Sequence, residues 1–181
     1  MNAMLKKIAL FTPVIAVAGY CVFYVTFMFV NTSDRSPKVF QATSELNDFH
    51  YNVVQRPGVV ISGEPVRFVV TVTKNGSPVA NHKFQAGMSH AYGLFIDSRS
   101  SDVTDDTYTS DNNGNFAVNY TSKFWSLLRD EFGFYVAVVF TPEEQANYDQ
   151  RLGNNTLTGT EPLGSVFDVN IYPRWLSWFV K

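Results

Sequence analysis

The sequence is short of the residues that most active sites are built from. It holds one cysteine in 181 residues, which excludes a disulfide framework, a zinc site built on two or more thiolates, and a CxxC redox pair. Three histidines, His50, His82 and His90, are the only imidazoles for metal or proton work. Charge is sparse as well: 17% of residues are charged, and fourteen basic against sixteen acidic side chains give a net charge of -2. No field of one sign exists to gather phosphates, so nucleic-acid binding has no support. Apolar material is what the chain has in quantity, 45% hydrophobic and 15% aromatic. Such a composition folds, and roughly 150 residues beyond an apolar amino end suffice for one core but not two.

That amino end is the clearest signal. From Ile8 to Val30, 23 positions carry no ionisable group other than Tyr and Cys, and a helix of that length spans about 34 Å, enough for a bilayer. Lys6 and Lys7 precede it, which predicts a cytoplasmic tail over 1–7, a transmembrane helix over 8–30 and the bulk of the chain outside, in the periplasm or beyond the cell. Phe11, Tyr20, Phe23, Tyr24, Phe27 and Phe29 give the helix its aromatic character, and the absence of intramembrane charge makes it an anchor in lipid rather than an ion path. Pro13 is read into its first turns. A cleaved signal peptide is the competing reading, because Ala16-Val17-Ala18 resembles a cleavage site. Against it, the apolar run continues about twelve residues further than a secretory segment needs.

After a polar stretch read as a linker over 31–48, short β-rich runs alternate with Gly, Asn, Asp and Pro. Pro65 to Lys74 places Val66, Phe68, Val70 and Val72 on one face and ends in Asn75-Gly76, a strong hairpin signal. A partner strand is expected from Val79 to Ala86, and another short strand from Tyr92 to Asp97. Thr107-Tyr108-Thr109 and Asn115 to Tyr120 read as a second hairpin, Phe132 to Phe140 as a strand covered on both faces, and Leu163 to Tyr172 as the last strand. Seven or so strands predict an all-β unit, a single antiparallel β-sandwich over 49–173.

Three of these runs carry a resemblance. Asn75-Gly76-Ser77-Pro78-Val79, Thr109-Ser110-Asp111-Asn112-Asn113-Gly114-Asn115-Phe116 and Gly133-Phe134-Tyr135-Val136-Ala137 resemble landmarks of bacterial immunoglobulin-like domains of the invasin/intimin and prealbumin-like kinds. The resemblance covers roughly Gly63 to Tyr172 and implies an Ig-like sandwich; it implies no particular activity. The chain departs from it in having a single copy and long insertions over 98–106 and 142–162.

Candidate chemistry is thin. Gly87-Met88-Ser89-His90-Ala91 has part of a nucleophile elbow but lacks its final Gly. Met88 and His90, with His82 or His50, are soft and imidazole groups suited to copper, the weak metal candidates of the chain. Asp102, Asp105, Asp106, Asp111, Asn112, Asn113 and Asn115 supply oxygen ligands for calcium, yet Phe116 stands where a calcium loop needs Gly, and turn chemistry accounts for the cluster. No residue set calls for catalysis or a cofactor.

Two aromatic groups remain. The chain closes on Arg174, Trp175, Trp178 and Phe179 over a tail at 174–181, and Trp125 lies between strand candidates. Trp beside basic residues is the composition of interface hot spots and of membrane-interface belts. These features together predict a non-catalytic, single-pass protein that displays one Ig-like domain. It would serve as an accessory or assembly subunit of a larger envelope complex, with lipid and other membrane subunits as partners. Copper handling by the exported domain and a pilus or archaeal-flagellum-like filament subunit are the alternatives.

Overall fold

The computed structural model describes residues 3–44, 48–90, 105–122, 128–153 and 164–178. It is mostly β, with one apolar helix at the amino end. That helix, α1 (Ala3–Ser33), is longer than the expected span, so Pro13 lies in its interior and not in the first turns. Pro13 cannot donate to the Ala9 carbonyl, a loss that neighbouring groups offset in apolar helices. Near the other end, Thr26 and Thr32 return their hydroxyls to the carbonyls of Val22 and Met28, each at 2.8 Å, which hides these polar groups inside the helix.

Two five-stranded sheets follow. The first contains β1 (Lys38–Ser44), β2 (Phe49–Arg56), β4 (Pro65–Lys74), β5 (Ser77–Pro78) and β8 (Asn115–Thr121); β5 and β8 both pair with β4. The second runs β3 (Val60–Ile61), β10 (Gly164–Tyr172), β9 (Asp130–Val138), β6 (Lys83–His90) and β7 (Asp105–Thr109). Every pairing is antiparallel except β3 with β10. The period-two reading of the sequence holds on the inner faces. Val66, Phe68, Val70 and Val72 are buried on β4, and Phe167, Val169 and Ile171 on β10. The two sheets share one hydrophobic cluster. Phe68 of the first stacks on Phe134 of the second with ring centroids 4.1 Å apart, and register sets Phe134 level with Met88 on one side and Phe167 on the other.

Several expectations are corrected. The span 31–48 is not all linker: Lys38–Ser44 forms β1, and only four residues separate it from α1. β1 is an edge strand with most of its residues exposed, so its sequence carries little alternation to read. The Asn75-Gly76 turn forms as expected, both residues having positive φ (51° and 77°). Its return strand lasts only two residues before the chain leaves for the other sheet, and the strand that resumes at Lys83 passes through Gly87 without stopping. Thr107–Thr109 and Asn115–Tyr120 do not form a hairpin: β7 pairs with β6 and β8 with β4, so the turn between them crosses from one sheet to the other. β9 is fully covered on its inner face only; Tyr135 and Ala137 on the other are half-buried. The stretch from Pro142 contains a helix, α2 (Pro142–Gly153). Thr141 and Glu144 form its reciprocal cap, with the Thr141 N–H donating to Glu144 Oε2 at 2.8 Å and the Glu144 N–H to Thr141 Oγ1 at 3.3 Å. Tyr92 to Asp97 lies outside the described residues.

Two of the connections that change sheet, 79–82 and 110–114, run side by side and are fastened by one hydroxyl. Ser110 Oγ, buried, donates to the Val79 carbonyl at 2.6 Å and accepts from the His82 N–H at 3.1 Å. Beside it, Asp111 Oδ1 accepts the N–H groups of Asn113 and Asn115, both at 2.8 Å. Gly114, at φ 75°, brings its backbone against the Val72 carbonyl where a Cβ would not fit. The Thr109-to-Phe116 landmark thus encodes a crossing rather than a hairpin. Ser110→Ala strands a half-buried carbonyl and N–H, and a loss of about 1 kcal/mol is expected in chemical denaturation. The Asn115 N–H, and then that of Asn113, hold the Asp111 carboxyl below the usual carboxylate range. Its contribution is therefore complete above the ordinary carboxylate pKa and disappears as pH falls through the lowered one. The protection of the Asn113 and Asn115 amides, taken as exchange relative to the intrinsic rate at each pH, should fall in that window, and Asp111→Asn should remove this pH-linked fall.

Candidate functional site at the helix–domain junction

The richest arrangement outside the main core is where α1 meets the sheets. Helical spacing puts Tyr24, Met28 and Thr32 on one stripe, and Met28 and Thr32 are both fully buried. Opposite them lie Val59, Ile61, Tyr172 and Leu176, which with Met28 form a second hydrophobic cluster, flanked by Tyr24 and Trp175. Strand alternation explains how one pair of strands serves two cores. Val60 and Ile171 point into the main cluster, while their neighbours Ile61 and Tyr172 point the other way, onto the helix.

Polar contacts lock the junction. The Gly58 N–H donates to the Arg35 carbonyl at 3.2 Å, and a Cβ on Gly58 would run into the Ser36 carbonyl. Arg35 pairs with Glu64. The Ser62 N–H donates to the Tyr172 carbonyl at 2.9 Å, and Gly63, at φ 86°, leaves room for the Arg174 side chain. Tyr24 Oη accepts the backbone N–H of Arg129 at 3.3 Å. After Pro173 the chain turns through a 3-10 helix, Arg174–Trp178, closed by the Leu176 N–H on the Pro173 carbonyl at 3.1 Å and Ser177 Oγ on the Arg174 carbonyl at 2.7 Å.

The aromatic tail is accordingly divided. Leu176, which composition did not single out, is its fully buried anchor. Trp175 packs half-buried on the junction cluster, Arg174 is exposed, and Trp178 is 77% exposed. Phe179 and Trp125 lie outside the described residues. The last strand therefore returns the tail to the helix. Of the helix aromatics, Tyr20, Phe23 and Phe27 are exposed, Tyr24 and Phe29 are half-buried, and Phe11 lies in the first half of α1. Tyr20 stacks on Tyr24 and Phe23 on Phe27, one turn apart.

Of the copper candidates, Met88 and His82 are not brought together, and the side chain of His90 lies outside the described ones. Met88 is buried in the main core, whereas His82 precedes the opposite end of β6, about 20 Å away along an extended chain. The His82 ring meets Phe49 and Phe84 edge-on, with Nε2 3.8 Å from Glu144 Oε2. Gly87 to His90 are strand residues rather than an elbow. Among the described residues no group of three His, Cys, Asp or Glu stands where it could hold a metal ion. One polar arrangement was invisible without register. Thr43 lies opposite His50, with Thr43 Oγ1 2.9 Å from Nδ1, on the rim of a shallow depression of ≈ 680 Å³ that Asn52, Thr71 and Thr73 also line. Thr71 donates to Asn115 at 2.7 Å instead of facing the pair. The hydroxyl and the imidazole make a cross-strand contact on an open sheet face.

No family model matches the chain, and no curated protein matches it either. Among solved structures, it is similar to part of the native conformation of E. coli alpha-2-macroglobulin, determined by cryo-EM, at 13% identity and a TM-score of 0.43. The match covers 69% of this chain and only 8% of that one. A likeness of this degree carries no weight for fold or function.

Proposed function

We propose that the protein is a single-pass membrane protein presenting one Ig-like sandwich outside the cytoplasm, and that it works by contact, as an accessory subunit of a larger membrane complex. The observation that carries this reading is the junction. A helix long and apolar enough to cross a membrane is fused, through Met28 and Tyr24, to the same strands that complete the main core. Anchors and signal sequences share length and composition, but a signal sequence cut after Ala18 would leave Tyr20, Val22 and Phe23 bare in water on a helix whose far end is part of the fold. The two lysines before Ile8 favour a cytoplasmic amino end.

Two facing inner surfaces with aligned aromatic contacts, and the three landmark runs, support the Ig-like sandwich. Contact, rather than catalysis, fits a chain whose described histidine and serine contacts are structural. The test is extraction in mild detergent followed by native electrophoresis and cross-linking. Carbonate-resistant membrane association and a species well above the 20.4 kDa chain are expected. Release by carbonate would remove the anchor, and migration as a lone chain would remove the accessory-subunit reading.

A further inference from the structure

The junction fixes how deep the β domain sits, because it pins a domain loop to a particular turn of α1. Between Lys7 and Tyr24 lie only sixteen residues, Ile8 to Phe23, a helix of about 24 Å, while the hydrocarbon core of a bilayer is about 30 Å thick. If lipid ended at Tyr24 the core would be underfilled. Phe27, 41% exposed, and Val30, 68% exposed, would also stand in water further along the same helix. Lipid must therefore extend past Tyr24. Yet the Arg129 N–H is bonded to the Tyr24 hydroxyl, so residues 128–129 lie at that depth. At the same end, Leu128 is 59% exposed and Trp178 is 77% exposed, held by the buried Leu176 two residues before it.

We infer that the rim of the domain carrying Leu128 and Trp178 is embedded in the outer boundary of the bilayer, so that lipid, and not a protein, covers these side chains. The inference rests on α1 spanning the membrane. Its chemistry is that of an interfacial belt: Trp178 supplies an amphipathic ring at headgroup depth and Leu128 an apolar contact. Arg174 lies against Gly63, and Arg129 is paired with Glu131 at 3.1 Å, so the belt rests on Trp178 and Leu128 alone. The domain would then be attached to the membrane by a second contact besides its helix, and its sheets held at a fixed attitude to the surface.

Single cysteines placed in the full chain test this, after Cys21→Ala removes the native thiol. Leu128→Cys and Trp178→Cys probe the rim; Val166→Cys, 66% exposed and about 20 Å along β10 from Tyr172, is the control. Each is labelled with an environment-sensitive fluorophore and reconstituted in vesicles of phosphatidylcholine with phosphatidylglycerol. Blue-shifted emission at 128 and 178, with quenching by nitroxide lipids labelled near the headgroup several-fold stronger than at 166, is expected. Quenching by brominated lipids of the Trp178 share of native fluorescence, the difference between the unsubstituted protein and Trp178→Phe, is a second readout without a label. Water-like emission at 128 and 178 in protein that stays with the vesicles through carbonate overturns the inference and leaves the anchor standing. Protection in native membranes but not in vesicles assigns the rim to a protein partner and also overturns it. Loss of the protein from the vesicles removes the anchor and the inference together.

Discussion

Replacing Phe134 by Ala should cost about 3–5 kcal/mol, the range for deleting a buried aromatic ring. Phe134 is fully buried at the centre of the second sheet, stacked on Phe68 across the core and in register with Met88 and Phe167. Removing it takes a contact from both sheets at once, and the surrounding strands are tied by backbone ladders that do not collapse into the space. Domains of this size are stable by only about 5–15 kcal/mol, so the variant should unfold roughly 10 °C lower or more, followed by near-ultraviolet circular dichroism in detergent. Val166→Ala, exposed on a strand of the same sheet, should stay within about 0.5 kcal/mol of the parent. Equal melting of the two variants would mean that the sheets do not share a core.

The second large effect belongs to Leu176. Its truncation to Ala leaves a cavity in a cluster of five buried side chains, and a local penalty of about 2–5 kcal/mol is expected. The main core contains none of those five, so overall melting should move much less than for Phe134→Ala. What changes is the tail. With Leu176 packed, the Arg174–Trp175 bond is held in the 3-10 turn and trypsin cannot extend it; with Leu176→Ala, cleavage after Arg174 should accelerate by an order of magnitude or more. Ser177→Ala, which removes only the hydroxyl contact to the Arg174 carbonyl, should accelerate it much less.

How much of this was legible depended on whether a signal is local. The Asn75-Gly76 turn was readable because positive φ at two successive residues is demanded by the turn itself. The inner faces of β4 and β10 were readable because burial on one side imposes period two. The Asp111–Gly114 turn was misassigned for a related reason: its Asx geometry and its left-handed glycine are the same whether the flanking strands pair with each other or with different sheets. Only long-range register separates the cases. α2 was different again, since Thr141-Pro142-Glu143-Glu144 has a capping residue, Pro at the first helical position and the reciprocal Glu, a complete start signal inside a span set aside as an insertion. The junction was not legible in its particulars. Met28 and Leu176 have no local feature that distinguishes them from neighbouring apolar residues, and their meeting follows from β10 ending beside β3.

The four residues between α1 and β1, with Gly58 closed over Ser36 and Arg35 held by Glu64, leave no hinge between α1 and the sheets. Transmembrane helices lean by about 20° on average and lean further when the bilayer thins. If α1 crosses a bilayer as proposed, that lean is inherited by the sheets, and over a strand length of about 30 Å it swings the distal loops sideways by roughly 10 Å. Membrane thickness would thus set where the outermost surface of the molecule points, turning a stiff elbow into a lever read out at its tip.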